Sequence, residues 1–188
     1  RAGRYADMNL GYLPTSSASA LREVLPVVMA AGKPVMLTLD SELDPSTLKS
    51  THVVYLGYLS GLGMLEDMVL NGSRYSLGGS YDELIDSVTG EAHISEAGDP
   101  HPPGVRYRDY AYIAALQGPG GHAHLVIAGN RDVGLMHAAE AAASATALAE
   151  LGDRLGGRKG MFEALYEVYG LNGINVQGTL LEAGPVAP

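Results

Sequence analysis

The stretch LVIAGNRDVGLMHAAEAAASATAL, residues 125–148, constrains the fold more than any other part of this sequence. An apolar run ends in Gly129, a short polar loop follows, and an alanine-rich segment begins after Gly134. Strand, glycine-flanked loop and helix in this order are typical of α/β folds, which build anion and nucleotide sites at such corners. The stretch therefore predicts an α/β fold with a candidate binding loop at 129–134.

The remaining segments extend this pattern to a whole domain. The predicted elements are a helix at 18–31, strands at 34–39 and 52–57, a short helix ending before Asn71-Gly72, hairpins at 74–94, two strands around the turn 117–121, a helix at 134–151 and a hairpin at 163–183. The first helix is expected to bury Leu21, Leu25, Val28 and Met29. These elements predict a Rossmann-like, three-layer α/β sandwich with a mixed, mainly parallel central sheet, extended by the antiparallel hairpins.

The composition limits the classes of partner and compartment. The net charge is −9 and the 12 Lys and Arg residues are scattered, which argues against nucleic acid and against an anionic membrane surface. Because the chain has no cysteine, disulfides and thiolate ligands are excluded. The absence of cysteine suits a periplasmic or secreted protein, although cytoplasmic proteins also lack it. No apolar run approaches the roughly 20 residues that span a bilayer.

The length of 188 residues suits one domain. We divide the chain into a linker or first strand at 1–17, which includes MNLGYL, and a single α/β domain at 18–188. Because the sequence begins at Arg1 without a methionine or a signal segment, we expect a domain excised from a longer protein. A membrane segment or a partner domain would then lie outside these residues.

Two loops that follow predicted strands form the candidate binding site. Ligands of open α/β sheets bind at the carboxyl ends of the strands. The candidate ligand-binding residues are Gly57, Tyr58 and Ser60 in GYLSGLG, and Gly129, Asn130, Arg131, Asp132 and Gly134 in GNRDVG. Backbone N–H groups at the start of the following helix, together with the Arg131 charge, favour a small polar or anionic molecule.

The second loop also has a purely structural interpretation. Gly129 and Gly134 would permit a tight turn, and Asp132 or Asn130 would cap the helix. The glycine spacing matches a phosphate-binding P-loop, but Leu135 stands where that motif needs lysine. The chain also lacks Gly-x-Gly-x-x-Gly at either loop, so no nucleotide cofactor is predicted.

Candidate catalytic groups are sparse. His122 and His124 lie two apart on a predicted strand, and with Asp132 they would suit a metal-dependent hydrolase. Ser60 lacks the Gly-x-Ser-x-Gly of a nucleophile elbow, because Tyr58 replaces the first glycine. No catalytic residue and no metal site are predicted from these patterns.

Acidic and aromatic residues add two expectations. Four acidic residues fall on the predicted hairpin at 74–94, and we expect them to form a solvated face rather than the paired carboxylates of a glycosidase: Asp82, Glu83, Asp86 and Glu91. The chain has 11 tyrosines, of which several fall near predicted strands: Tyr55, Tyr58, Tyr107, Tyr110 and Tyr112. Tyrosines there would suit stacking on a sugar or base, or equally a dimer interface.

Two stretches carry resemblances to known families. The succession LDPSTLKSTHVVYLGYLSGLGML, SRYSLGGSYDELIDSVTGE, YRDYAYIAALQGPGGHAHLVIAGNRDVGLMHAAE and FEALYEVYGLNG resembles the carboxyl-terminal α/β module of bacterial regulators that follows helix-turn-helix, transmembrane or repeat segments. MNLGYLPTSSASALREVL resembles the opening of periplasmic solute-binding proteins, although the chain is long enough for one lobe of that family only. The first resemblance implies a sensory or interaction role in a larger protein, often beyond a membrane segment.

Three functional hypotheses follow. The first is a non-catalytic sensor domain of a bacterial membrane or regulatory protein, which is extracytoplasmic and binds a small polar or anionic molecule at 57–63 and 129–134. The second is an interaction module without ligand, in which hairpins and tyrosines form a homodimer. The third is the metal-dependent hydrolase.

Overall fold

The computed structural model describes residues 13–98, 100–158 and 160–186. The α-helices in these residues are α1 (Thr15–Ala30), α2 (Pro45–Ser50), α3 (Glu66–Leu70), α4 (Asp132–Ala143) and α5 (Ala145–Arg154). The strands are β1 (Val53–Tyr58), β2 (Tyr75–Leu77), β3 (Glu83–Asp86), β4 (Ala92–Ile94), β5 (Arg106–Gln117), β6 (Ala123–Gly129), β7 (Phe162–Leu171) and β8 (Ile174–Pro185). Short 3₁₀ turns occur at Asp40–Glu42, Leu59–Gly61, Gly63–Leu65 and Pro119–Gly121.

The main sheet has the strand order β1-β6-β5-β7-β8. Strands β1 and β6 are parallel, and the other three pairings are antiparallel. The prediction of an α/β fold with a mixed sheet is therefore confirmed, but the expectation of a mainly parallel sheet is wrong. Tight connections are the reason, because the turn between β5 and β6 and the Asn172-Gly173 turn between β7 and β8 are too short for a parallel crossover.

Contrary to the prediction, the hairpins at 74–94 do not extend the main sheet. Strands β2, β3 and β4 form a separate antiparallel sheet of three strands. Their inward side chains Tyr75 and Leu84 are buried against the face of the main sheet that carries Tyr112. Strands of three or four residues with one apolar face bury that face better by packing on the large sheet than by lengthening its edge.

Both faces of the main sheet are covered. One face packs against α1, α4 and α5, and its cluster includes Ile113, Ile127 and Val168. The other face packs against the short helices between Pro45 and Leu70 and against the small sheet. Alternate side chains of the central strand β5 enter the two clusters, as expected for a strand buried on both sides.

The segment PVMLTL at 34–39 is not a strand, contrary to the prediction. It has no regular secondary structure, and its apolar side chains are exposed, with Met36 at 76% and Leu37 at 64%. An apolar run cannot by itself specify a pairing partner, and strand β1 has none other than β6 among the described residues. The predicted linker or first strand at 1–17 lies outside the described residues up to residue 12, and from Thr15 the chain is helical.

Two helix predictions also change in detail. Helix α1 buries the small residues Ser16, Ala20 and Val24, whereas Met29 of the predicted face is 60% exposed. The small face is the one that packs against the alanine-rich α4. The helix predicted at 134–151 is two helices, because Ser144 is extended and its hydroxyl accepts a hydrogen bond from the N–H of Ala147 at 3.3 Å.

Candidate functional site

The structure brings the two predicted loops together. Tyr58 at the end of β1 lies opposite Gly129 at the end of β6 in the parallel register. The Tyr58 hydroxyl donates to Asp132 Oδ1 at 2.7 Å and lies 3.1 Å from the hydroxyl of Ser16 in α1. Burial raises the pKa of Tyr58 to about 12. These contacts join strand β1, helix α1 and helix α4 at one corner of the sheet.

A buried carboxylate from β5, the strand that pairs with β6, lies at the amino terminus of α4. Asp109 of β5 is fully buried and accepts hydrogen bonds from Ser95 Oγ at 2.7 Å, Gly134 N at 2.7 Å, Tyr110 N at 2.9 Å and Arg131 N at 3.2 Å. Burial raises the pKa of Asp109 to about 6, and these hydrogen bonds oppose the shift. The prediction that Asp132 or Asn130 caps this helix is therefore wrong, since no cap bond comes from the loop itself.

The polar side chains of the second loop are also engaged within the molecule. Arg131 pairs with Asp82, with Nε 2.5 Å from Oδ1 and Nη2 3.1 Å from Oδ2. The Asn130 side-chain amide donates to the Asp82 carbonyl oxygen at 2.9 Å. Asn130 Oδ1 is buried and has no hydrogen-bond partner among the described residues. The loop thus anchors the segment before β3 to the start of α4.

Packing requires the glycines of this corner. A Cβ at Gly129 would overlap the backbone nitrogen of Leu135, and a Cβ at Gly134 would overlap the carbonyl oxygen of Tyr110. A Cβ at Gly57 would lie 2.6 Å from the Tyr55 hydroxyl. That hydroxyl donates to the carbonyl oxygen of Tyr58 at 2.7 Å, so Gly57 makes room for a ring that folds along its own strand.

Ser60, the last of the predicted site residues, is half buried in the 3₁₀ turn Leu59–Gly61 directly after β1. It therefore lies at the carboxyl end of β1, as predicted from the sequence. Its side chain takes no part in the hydrogen bonds that join Tyr55, Tyr58, Ser16 and Asp132 at this corner.

The residues of the hydrolase hypothesis do not converge. His124 pairs with Val53 at the start of β1, whereas Asp132 follows the opposite end of β6. The five residue steps from His124 to Gly129 separate the two ends by roughly 16 Å. His124 is buried beside Met68, with Nδ1 3.1 Å from the sulfur, and burial lowers its pKa. Among the described residues, no three acidic or histidine side chains are arranged to hold a metal ion.

The acidic hairpin group is only partly the solvated face that was predicted. Asp86 is 3% exposed and pairs with Arg74 at 2.7 Å. The hydrogen bonds from Arg74 hold the pKa of Asp86 well below its usual range. Glu83 accepts a hydrogen bond from Gly79 N at 2.7 Å, and Glu91 is exposed. The carboxylates of Asp86 and Glu83 stabilise turns of the small sheet.

Most of the singled-out tyrosines are part of the core. Tyr107, Tyr110 and Tyr112 lie on the central strand β5 and are each less than a tenth exposed. The Tyr112 hydroxyl donates to the buried Glu163 at 2.9 Å. Such residues supply neither a stacking platform nor a dimer surface.

The sequence prediction missed a groove on the other side of β1, which we call the β1 groove. It has a volume of about 540 Å³ and is lined by Leu13, Ser17, Leu21, Pro34, Met36, Leu37, Thr38, Leu39, Asp40, Glu42, Leu43, Thr47, Thr51, His52, Val53, Val54, Tyr55, Leu56 and Leu65. The lining is mainly apolar, and it contains two carboxylates but no Lys or Arg. The sequence signal was the run PVMLTL, which had predicted a strand at 34–39.

None of the helices in the described residues is both long and apolar enough to cross a membrane. Comparisons with known proteins found no matching family model, no similar curated protein and no similar solved structure.

Proposed function

We propose that this domain is a protein–protein interaction module and that the β1 groove is its binding surface. The observation that carries the proposal is the concentration of exposed large apolar side chains around this groove: Leu13, Met36, Leu37, Leu39 and Val54. Contiguous apolar surface rimmed by polar residues is characteristic of interaction sites. The corner at 129–134, in contrast, directs most of its polar groups into the molecule.

A matched pair of variants tests this function. Met36 in the groove and Val88 in the small sheet's turn are 76% and 74% exposed, so a glutamate at either position leaves the core intact. The immobilised wild-type domain and its Val88→Glu variant are expected to retain the same proteins from an extract of the source cells. The Met36→Glu variant is expected to lose them. Retention by all three, or by none, would contradict the proposal.

The ligand-sensor hypothesis stays as a second proposal, and one observation favours it. Asn130 Oδ1 is buried at the corner without a partner among the described residues, and such a group costs about 1–3 kcal/mol unless a donor reaches it. A small hydroxylated or amide-bearing molecule would supply that donor. Native mass spectrometry of the wild type and of an Asn130→Ala/Arg131→Ala variant tests it: an added mass that only the wild type carries would support a ligand.

Three further expectations stay proposals. The two apolar clusters on opposite faces of the main sheet support the three-layer description of the fold. The similarity in motif order to regulator modules supports a place in a larger, extracytoplasmic protein. The homodimer stays a proposal that sedimentation equilibrium tests, although Tyr107, Tyr110 and Tyr112 are too buried to form its interface.

A further inference from the structure

We infer that the β1 groove binds an extended, apolar segment of another protein that carries Lys or Arg beside its apolar residues, and that this segment pairs with the edge of β1 that no described strand occupies. This inference rests on the proposed function and names the chemistry of the partner. Three features of the groove support it: its position along a strand edge, its apolar lining and the sign of its charge.

The groove runs along the edge of β1 rather than over one face of the sheet. Four consecutive residues, Val53 to Leu56, line it. Successive side chains of a strand point to opposite faces, so a cavity that touches all four lies beside the strand. β6 occupies one edge of β1, and no described strand pairs with the other. The backbone groups directed toward the groove are thus a template for strand addition.

The apolar lining suits alternate side chains of an added strand. Met36, Leu37 and Leu39 line the groove together with residues of β1, and they are 76%, 64% and 56% exposed. A segment bound in the groove would cover these apolar side chains.

The charge of the groove selects a cationic partner. Asp40 and Glu42 line the groove, are exposed and make no ion pair with another described residue. Asp40 lies near the carboxyl end of β1, where its charge adds to the effect of burial in raising the pKa of Tyr55. A second copy of the domain would present the edge VVYLGY, which has no Lys or Arg for these carboxylates. The complementarity therefore favours a different protein with basic residues next to its strand.

Synthetic peptides test this inference directly. The probes are an alternating Val-Thr hexapeptide with two lysines at each end, the same hexapeptide with two glutamates at each end, and the lysine form with prolines at alternate positions. Fluorescence anisotropy with the whole domain is expected to show binding of the lysine form, binding at least about tenfold weaker for the glutamate form, and none for the proline form.

Variants of the domain assign the binding to the groove. Asp40→Lys/Glu42→Lys is expected to reverse the preference between the lysine and glutamate peptides, whereas the control Glu91→Lys/Asp153→Lys, with the same change of net charge, keeps it. Met36→Ser, which removes the apolar contact without adding charge, is expected to weaken binding of the lysine peptide by about tenfold, and Val88→Ser by less than about twofold.

Three results would overturn the inference. They are equal binding of the lysine and glutamate peptides, a preference that the Asp40→Lys/Glu42→Lys variant keeps, and a dimer in sedimentation equilibrium that Met36→Glu dissociates. If cellular proteins are retained in a Met36-dependent way but the peptides fail, the partner chemistry is wrong and the interaction function stands. If both experiments fail, the interaction function itself is wrong.

Discussion

The corner at 129–134 and the β1 groove both border strand β1, yet they use their polar and apolar groups in opposite ways. At the corner, Asp109 accepts hydrogen bonds from the N–H groups at the start of α4, and Asp82 forms an ion pair with the Arg131 guanidinium. At the groove, apolar side chains and the carboxylates of Asp40 and Glu42 face outward without partners among the described residues. A loop with the composition of a binding site can therefore direct most of its polar groups into the molecule, while an apolar run that suggests a core strand can lie exposed, as our proposed binding surface requires.

The largest effect that separates the two regions is expected at a corner glycine. Gly134→Ala should destabilise the domain by about 3 kcal/mol, because its Cβ would overlap the carbonyl oxygen of Tyr110 and neither backbone can move freely. Gly152→Ala in α5 is the control, since its Cβ would meet no atom within 4 Å and should stabilise the helix by about 0.5–1 kcal/mol. Urea unfolding measures both. Equal effects of the two substitutions would refute the packing account of the corner.

Removal of the buried carboxylate should have the next largest effect. Asp109→Ala is expected to lower the free energy of unfolding by about 2 kcal/mol, because it leaves the N–H groups of Arg131 and Gly134 buried without acceptors. Asp109→Asn, which keeps one acceptor oxygen, should cost less. Urea unfolding of the two variants checks this by comparing their free energies of unfolding. If Asp109→Ala left the free energy of unfolding unchanged, the corner would not depend on its buried carboxylate.

The pH dependence of stability sharpens the same point. Because burial raises the pKa of Asp109 to about 6, the folded protein takes up a proton on acidification before the unfolded chain does. The contribution of the Asp109 carboxyl to the free energy of unfolding is fully present below its ordinary pKa, and it is lost as the pH rises through 6. Between pH 7 and pH 5, the wild type should therefore gain about 1 kcal/mol in the free energy of unfolding relative to Asp109→Asn. A constant difference across this range would show that the carboxylate does not titrate there.

The smallest effect on stability is expected in the groove. Leu37→Ser should change the free energy of unfolding by less than about 0.5 kcal/mol, because the side chain is 64% exposed in the free domain. The same substitution should weaken partner binding, since the complex would bury this side chain. Thermal unfolding of the free domain checks the first statement. A large loss of stability would indicate that 34–39 belongs to the core after all.

Local sequence signals predicted the local parts of this fold and missed the long-range ones. The Asn172-Gly173 hairpin, the corner from β6 to α4 and the proximity of Tyr58 to Gly129 follow from turn chemistry and from strand-end geometry. The role of Asp109 was not predictable, because it lies in a strand far from the loop whose amides it accepts. The unpaired state of 34–39 depends on which strand lies beside β1, and an apolar pattern does not encode that choice.

The most direct test of the central claim is a titration of the isotope-labelled domain with the lysine-flanked peptide, followed by backbone amide NMR shifts. The account predicts saturable shifts at 34–40 and 53–58, with slowed hydrogen exchange of β1 amides that face the groove, and no shifts at 129–134 beyond those adjoining Tyr58. Shifts centred on 129–134, or none at the β1 groove at saturating peptide, would contradict it.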